Sequence, residues 1–106
     1  MATNKKKRAK NRGHIEKAIE LFERALKIQP LADYVLYSLA AAQARLGAVR
    51  EALANLRRSI ELDKFLRNRV KARRDPDFSP LYENREFQEI VGIEVTPEPA
   101  ESQVQE

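Results

Sequence analysis

Apolar and polar residues recur through the middle of this chain with the step of a helix. Ile15, Ala18, Ile19, Phe22, Ala25 and Leu26 follow one another at three- and four-residue intervals, which sets them on one helical face. Glu16, Lys17, Glu20, Glu23, Arg24 and Lys27 take the opposite face. Pro30 stops this element, because it lacks a donor and clashes with the preceding turn. Asp33 is placed to cap a second helix, in which Leu36, Leu39, Ala40, Gln43 and Leu46 trace one face beside Ala41, Ala42 and Ala44. Gly47 supplies a left-handed residue to end it. A third helix then carries Val49, Ala52, Leu53, Leu56 and Ile60. The connections are short, so neighbouring helices should pack antiparallel.

From Lys64 the pattern predicts a fourth helix that turns Phe65, Leu66, Val70 and Ala72 inwards and stops at Asp75-Pro76. Ser79-Pro80 reads as a cap followed by proline at the first helical position, opening one turn with Leu81 and Tyr82. Asn84 then caps a last helix bearing Phe87, Ile90 and Val91, with Gly92 closing it. The expected fold class is all-α, a set of antiparallel helix-turn-helix units over residues 13–92.

Charge divides the rest of the chain. Residues 1–12 hold Lys5, Lys6, Lys7, Arg8, Lys10 and Arg12 without an acid, and read as a basic flexible arm, unfolded or a frayed helix. Residues 93–106 hold Glu94, Glu98, Glu101 and Glu106 without a base, plus two prolines, and read as an acidic disordered tail. A second basic run, Lys64 to Arg74, contains no acid. Lys5, Lys6, Lys7, Arg8, Lys10, Arg67, Lys71 and Arg74 are therefore the candidate electrostatic contacts.

The middle of the chain also repeats. Gly13, Ala18, Phe22 and Ala25 align with Gly47, Ala52, Leu56 and Ser59 at an offset of 34 residues, and Ile15, Ile19 and Ile28 align with Val49, Leu53 and Leu62. That is the period of the tetratricopeptide (TPR) helix-turn-helix repeat. Residues 33–64 resemble that family more specifically: Leu36 falls at its large first-helix position, Leu39 and Ala40 at its Leu-Gly pair, and Gly47 at its turn. Residues 13–32 resemble the second half of a preceding repeat, with Pro30 near its end. After Lys64 the sequence resembles a terminal cap, which shields the open end of a helix stack.

The resemblance implies a short right-handed superhelix that acts as a protein–protein interaction scaffold or adaptor. Family members bind a peptide or helix of a partner protein on the face lined by first helices. Carried over by position, Tyr34, Tyr37, Ala41, Ala44 and Arg45 form that partner-binding groove. Tyr37, Ser38 and Ala41 stand where the family's carboxylate clamp has donors, so that variant of the activity is not expected. Self-association through the face of Ile15, Ile19 and Phe22 is a further expectation. The alternative function is binding of RNA or DNA by the basic arm and the 64–74 helix.

Chemistry has little footing. The chain has no cysteine, which excludes disulfides and thiolate metal sites, and its one histidine, His14, reads as a surface residue. No glycine-rich phosphate loop or nucleophile motif is present, so the chain is expected to be no enzyme and to need no cofactor or metal. No apolar run approaches the roughly eighteen residues of a membrane span. Basic residues at the start are not followed by an apolar stretch, as a secretory signal would require. A soluble protein of the cytoplasm or another intracellular compartment is expected.

Overall fold

The computed structural model describes residues 2–92, with side chains from Asn11 onward. The acidic tail of residues 93–106 lies outside the described residues, as do the side chains of Lys5, Lys6, Lys7, Arg8 and Lys10. Five α-helices follow one another: α1 (Ala2–Ile28), α2 (Asp33–Leu46), α3 (Val49–Leu62), α4 (Arg67–Ala72) and α5 (Arg85–Ile90). A 3-10 helix, Pro76–Leu81, joins the last two, and no strand occurs among the described residues.

α2 is the centre of the fold. Its alanines let α3 approach closely, and Ala40, Ala41, Ala44, Ala52, Leu53 and Leu56 share one core with the C-terminal elements. Gly47 makes the α2–α3 turn at φ 84°, its N–H donating to the Ala44 carbonyl and that of Ala48 to Gln43. Only glycine takes this left-handed backbone without a Cβ penalty. The compact all-α body thus contains helix-turn-helix pairs at α1–α2 and α2–α3.

The first repeat differs from its expectation. Gly13 aligns with Gly47 but lies inside α1, and the only glycines at positive φ are Gly47 and Gly92. α1 therefore runs unbroken for 27 residues, and the backbone of the expected arm is helical from Ala2. An antiparallel turn at Gly13 would need an apolar face on residues 2–12 to reward it, and that segment has almost none.

Asp33 is likewise not a cap. The N-cap of α2 is Ala32, without a side-chain bond, and Asp33 stands at the first helical position. Its carboxylate instead accepts from Asn68 Nδ2 at 3.0 Å, while its carbonyl accepts from the Ser59 hydroxyl at 3.0 Å. Asn68 Nδ2 also reaches Ser59 Oγ at 2.7 Å. These bonds tie the start of α2, the end of α3 and α4 into one partly buried polar knot.

The 64–74 segment departs most. Phe65, Leu66 and Val70, expected inside, are 74%, 48% and 56% exposed, and only Ala72 is buried. The cause is Leu66, which takes a left-handed φ of 59° and delays α4 to Arg67, shifting the phase of the helix. Such a backbone costs a non-glycine residue roughly 1–2 kcal/mol. The Asp63 carboxylate offsets this by accepting from the N–H groups of Phe65 and Asn68.

Beyond α4, Asp75 rather than Ser79 caps the next element, accepting from Asp77 N at 3.0 Å with Pro76 at the first position. Pro80 sits inside the 3-10 helix, whose weaker bonding tolerates it. Asn84 caps α5 as expected, accepting from Phe87 N at 3.0 Å. Phe78, Leu81, Phe87 and Val91 are buried against α2 and α3, and an Arg57–Glu86 pair at 3.1 Å links α3 to α5.

Candidate partner-binding cleft

A cleft of about 500 Å³ runs along the face of α2 that α3 does not cover. Its floor is the α2 ridge of Tyr37, Ser38, Ala41, Ala42 and Arg45. α1 forms one wall with Asn11, His14, Ile15, Ala18 and Phe22, at the spacing of successive turns. Lys71, Asp75 and Asp77, from α4 and the start of the 3-10 helix, form the other.

Floor and rim differ in chemistry. Ala18, Ser38, Ala41 and Ala42 are small and leave room for a close approach, while Ile15 and Phe22 are half-buried and present apolar area. At the rim, Arg45 Nε lies 3.8 Å from Asp77 Oδ1, both side chains about half exposed. Such a pair contributes on the order of 0–1 kcal/mol and leaves both groups available. Lys71 Nζ sits 4.8 Å from the centre of the Tyr37 ring.

Tyr37 belongs to the scaffold more than to the opening. It is 5% exposed, and its ring meets Phe78 edge-on at a centroid distance of 5.5 Å. Its hydroxyl donates to Asp75 Oδ2 at 2.7 Å. Burial, followed by that bond to a carboxylate, raises its pKa far above the ordinary phenol value. Asp75 is a hub: its other carboxylate oxygen takes the Asp77 N–H, and its carbonyl accepts from the Tyr82 hydroxyl at 2.6 Å. Both carboxylate oxygens of Asp75 are thereby engaged in holding the wall.

Of the five groove residues expected from the sequence, the structure brings together Tyr37, Ala41 and Arg45. Ala44 is 1% exposed and buried in the core, because it faces α3. Tyr34 is 64% exposed and lines a separate shallow hollow with Pro30 and Leu31 at the α1–α2 turn. It lies almost one full turn away from Tyr37 and points elsewhere. The α1 wall was legible as an apolar face; that it would line the same opening as α2 was not, because helical spacing shows a face and not the neighbour it meets.

The basic residues of the 64–74 segment do not act as one patch. Lys71 faces the cleft, Arg67 stacks 5.4 Å from the Phe65 ring centre, and Arg73 Nε donates to the Val91 carbonyl at 2.7 Å. Arg74 is exposed. Among the described residues no group of three or more His, Asp or Glu side chains is arranged to hold a metal ion. No helix among them is long and apolar enough to cross a membrane.

Comparison with family models, curated proteins and solved structures gives no significant match.

Proposed function

We propose that this protein is a small TPR-like interaction module whose α1–α2 cleft takes an apolar segment of a partner protein, as a peptide or a helix. The observation that carries this reading is the cleft itself: a small-residue floor, the half-buried Ile15 and Phe22 wall, and a charged rim of Arg45, Lys71 and Asp77. Apolar burial in the floor would supply affinity, and the rim would orient the guest. The reading assigns no catalytic step to the chain. Its task is to hold one protein and present it, as a scaffold or adaptor does.

The test is selection of peptides from a displayed library on the full chain, followed by titration against a Ser38→Trp variant. Ser38 is half-buried on the cleft floor, so an indole there fills the opening without removing a core side chain. Selected peptides should bind the variant at least about tenfold more weakly, roughly 1.4 kcal/mol. Equal binding to both proteins, with the helical signal unchanged, would sink the cleft as the site. RNA or DNA binding by the basic residues 5–12 and the 64–74 segment is the alternative; within that segment its support is the exposed Arg74, since Arg67, Lys71 and Arg73 each have a partner within the fold.

A further inference from the structure

The two helices that enclose the cleft are unequal. α1 has 27 residues and α2 has 14, and they run antiparallel from the turn at residues 29–32. At 1.5 Å per residue α1 outruns its neighbour by about 20 Å, and the excess lies at the α1 start. The cleft reaches that end, where Asn11 and His14 of α1 line it together with Arg45 in the last turn of α2. Its wall therefore continues, on one unbroken helix, into a stretch that α2 does not accompany.

Chemistry changes along this wall. Ile15, Ala18 and Phe22 give it an apolar section. Before that section the sequence has no acid, while Lys5, Lys6, Lys7, Arg8 and Lys10 stand on the projecting backbone and Arg12 at its foot. Ala2 and Ala9 are the only apolar side chains of the 2–12 stretch, so what it adds to the cleft is positive charge. The carboxylates around the opening are already engaged. Glu16 pairs with Arg12 at 3.7 Å, Asp77 with Arg45, and Asp75 accepts from the Tyr37 hydroxyl and the Asp77 N–H. On the opposite wall, Lys71 makes no ion pair among the described residues.

We infer that the guest of the cleft is a bipartite acidic segment of a partner protein. Its apolar residues fill the section from Ile15 to Phe22, and a following run of aspartates and glutamates lies along the projecting start of α1. This rests on the reading of the cleft as a partner-binding site and adds the chemistry of the partner. The acidic run speeds encounter and fixes the guest's direction, because the other end of α1 mixes Glu20 and Glu23 with its bases. Nucleic acid would use the cations and leave the apolar section empty. One helix that carries both favours a protein guest.

The test uses the full chain and a displayed library of random peptides in which acidic and basic residues are equally frequent. Peptides selected at low salt should carry apolar residues with a cluster of Asp and Glu to one side. Replacing that cluster by Asn and Gln should weaken binding at least about tenfold. Salt at about 1 M, where the screening length falls to about 3 Å, should do the same. In a Lys5→Gln/Lys6→Gln/Lys7→Gln/Arg8→Gln/Lys10→Gln variant, which keeps a good helix former at each position, the cluster should add nothing. Ser38→Trp should still weaken the binding that remains, and circular dichroism reports whether each variant is folded. Peptides that respond to Ser38→Trp without enrichment in acids would overturn the inference and leave the cleft as the site. Acidic peptides indifferent to Ser38→Trp would overturn it as well, since they bind by charge alone. A short RNA or DNA duplex bound more tightly than any selected peptide, with or without Ser38→Trp, would assign the basic stretch to nucleic acid. No enriched peptide at all would remove the cleft reading and the inference together.

Discussion

α1 and α3 occupy equivalent places in the sequence repeat, yet they end in different environments. Ala52, Leu56 and Ser59 are each 0% exposed, whereas their counterparts Ala18, Phe22 and Ala25 are only half-buried. Ile28 is 83% exposed where its counterpart Leu62 is half-buried. The side chains are of similar character, so composition does not explain the difference. α3 is covered by α2 on one side and by α4 and α5 on the other, whereas among the described residues the main packing partner of α1 is α2. A repeat position states what a residue can bury; the neighbouring helices decide whether it is buried. The uncovered part of α1 is what opens the cleft.

The largest effect should come from exploiting that inequality. Leu56→Ala removes a fully buried side chain from the shared core and should cost about 2–5 kcal/mol. Phe22→Ala, at the equivalent position, removes a larger side chain that is only half-buried, and should cost about 1 kcal/mol. Urea denaturation of both variants measures the difference. Equal losses would mean that α1 is as firmly packed as α3 and that the cleft is closed in solution.

A smaller effect tests the other wall of the cleft. Tyr37→Phe keeps the ring against Phe78 but deletes the donor to Asp75, and should cost about 2 kcal/mol for a bond to a charged acceptor. The change should be absent in an Asp75→Ala background, which leaves the hydroxyl no side-chain acceptor there, if the two groups act only through each other. There is also a signature in pH. The folded protein holds Tyr37 protonated above its ordinary value of 10.0, so stability is full below that value and falls as pH rises past it. Alkaline thermal melts of Tyr37→Phe should lack this component of the decline.

How much of this was legible depends on the region. The α2–α3 pair, its Gly47 turn and its Ala52–Leu56 face come from helical periodicity and one glycine, because regular helices repeat their burial every three or four residues. The α1 start did not, since the alignment of Gly13 with Gly47 counts identity and not the apolar partner that a turn requires. Between Asp63 and Leu81, periodicity misleads, before α5 again follows its cap and apolar spacing. In that stretch the backbone is set by single polar anchors: Asp63 holding the left-handed Leu66, and Asp75 serving Tyr37, Tyr82 and the Asp77 N–H. Such bonds join residues up to 38 apart in the chain, and no local pattern announces them. The cleft was legible along α2, where Tyr37, Ala41 and Arg45 share a ridge, and illegible on its far wall for the same reason.

The anchor at Asp63 offers the finest comparison between periodic and anchored regions, because it can be titrated. The N–H of Asn68, with a further one from Phe65, holds its carboxyl below the ordinary 3.8. A carboxyl lowered in the folded state contributes stability that is complete above its unfolded pKa and is lost as pH falls through the folded value. Thermal melts from about pH 5 down to about pH 2 should therefore show a steeper decline for the native chain than for Asp63→Asn. Residue-level exchange should place the excess opening at residues 63–70, where Leu66 loses what holds its backbone. The Gly47 turn needs no carboxylate and should keep its protection through the same range. If the turn and the 63–70 segment open together at every pH, the two regions are one cooperative unit. The anchored half would then have no separate stability to lose.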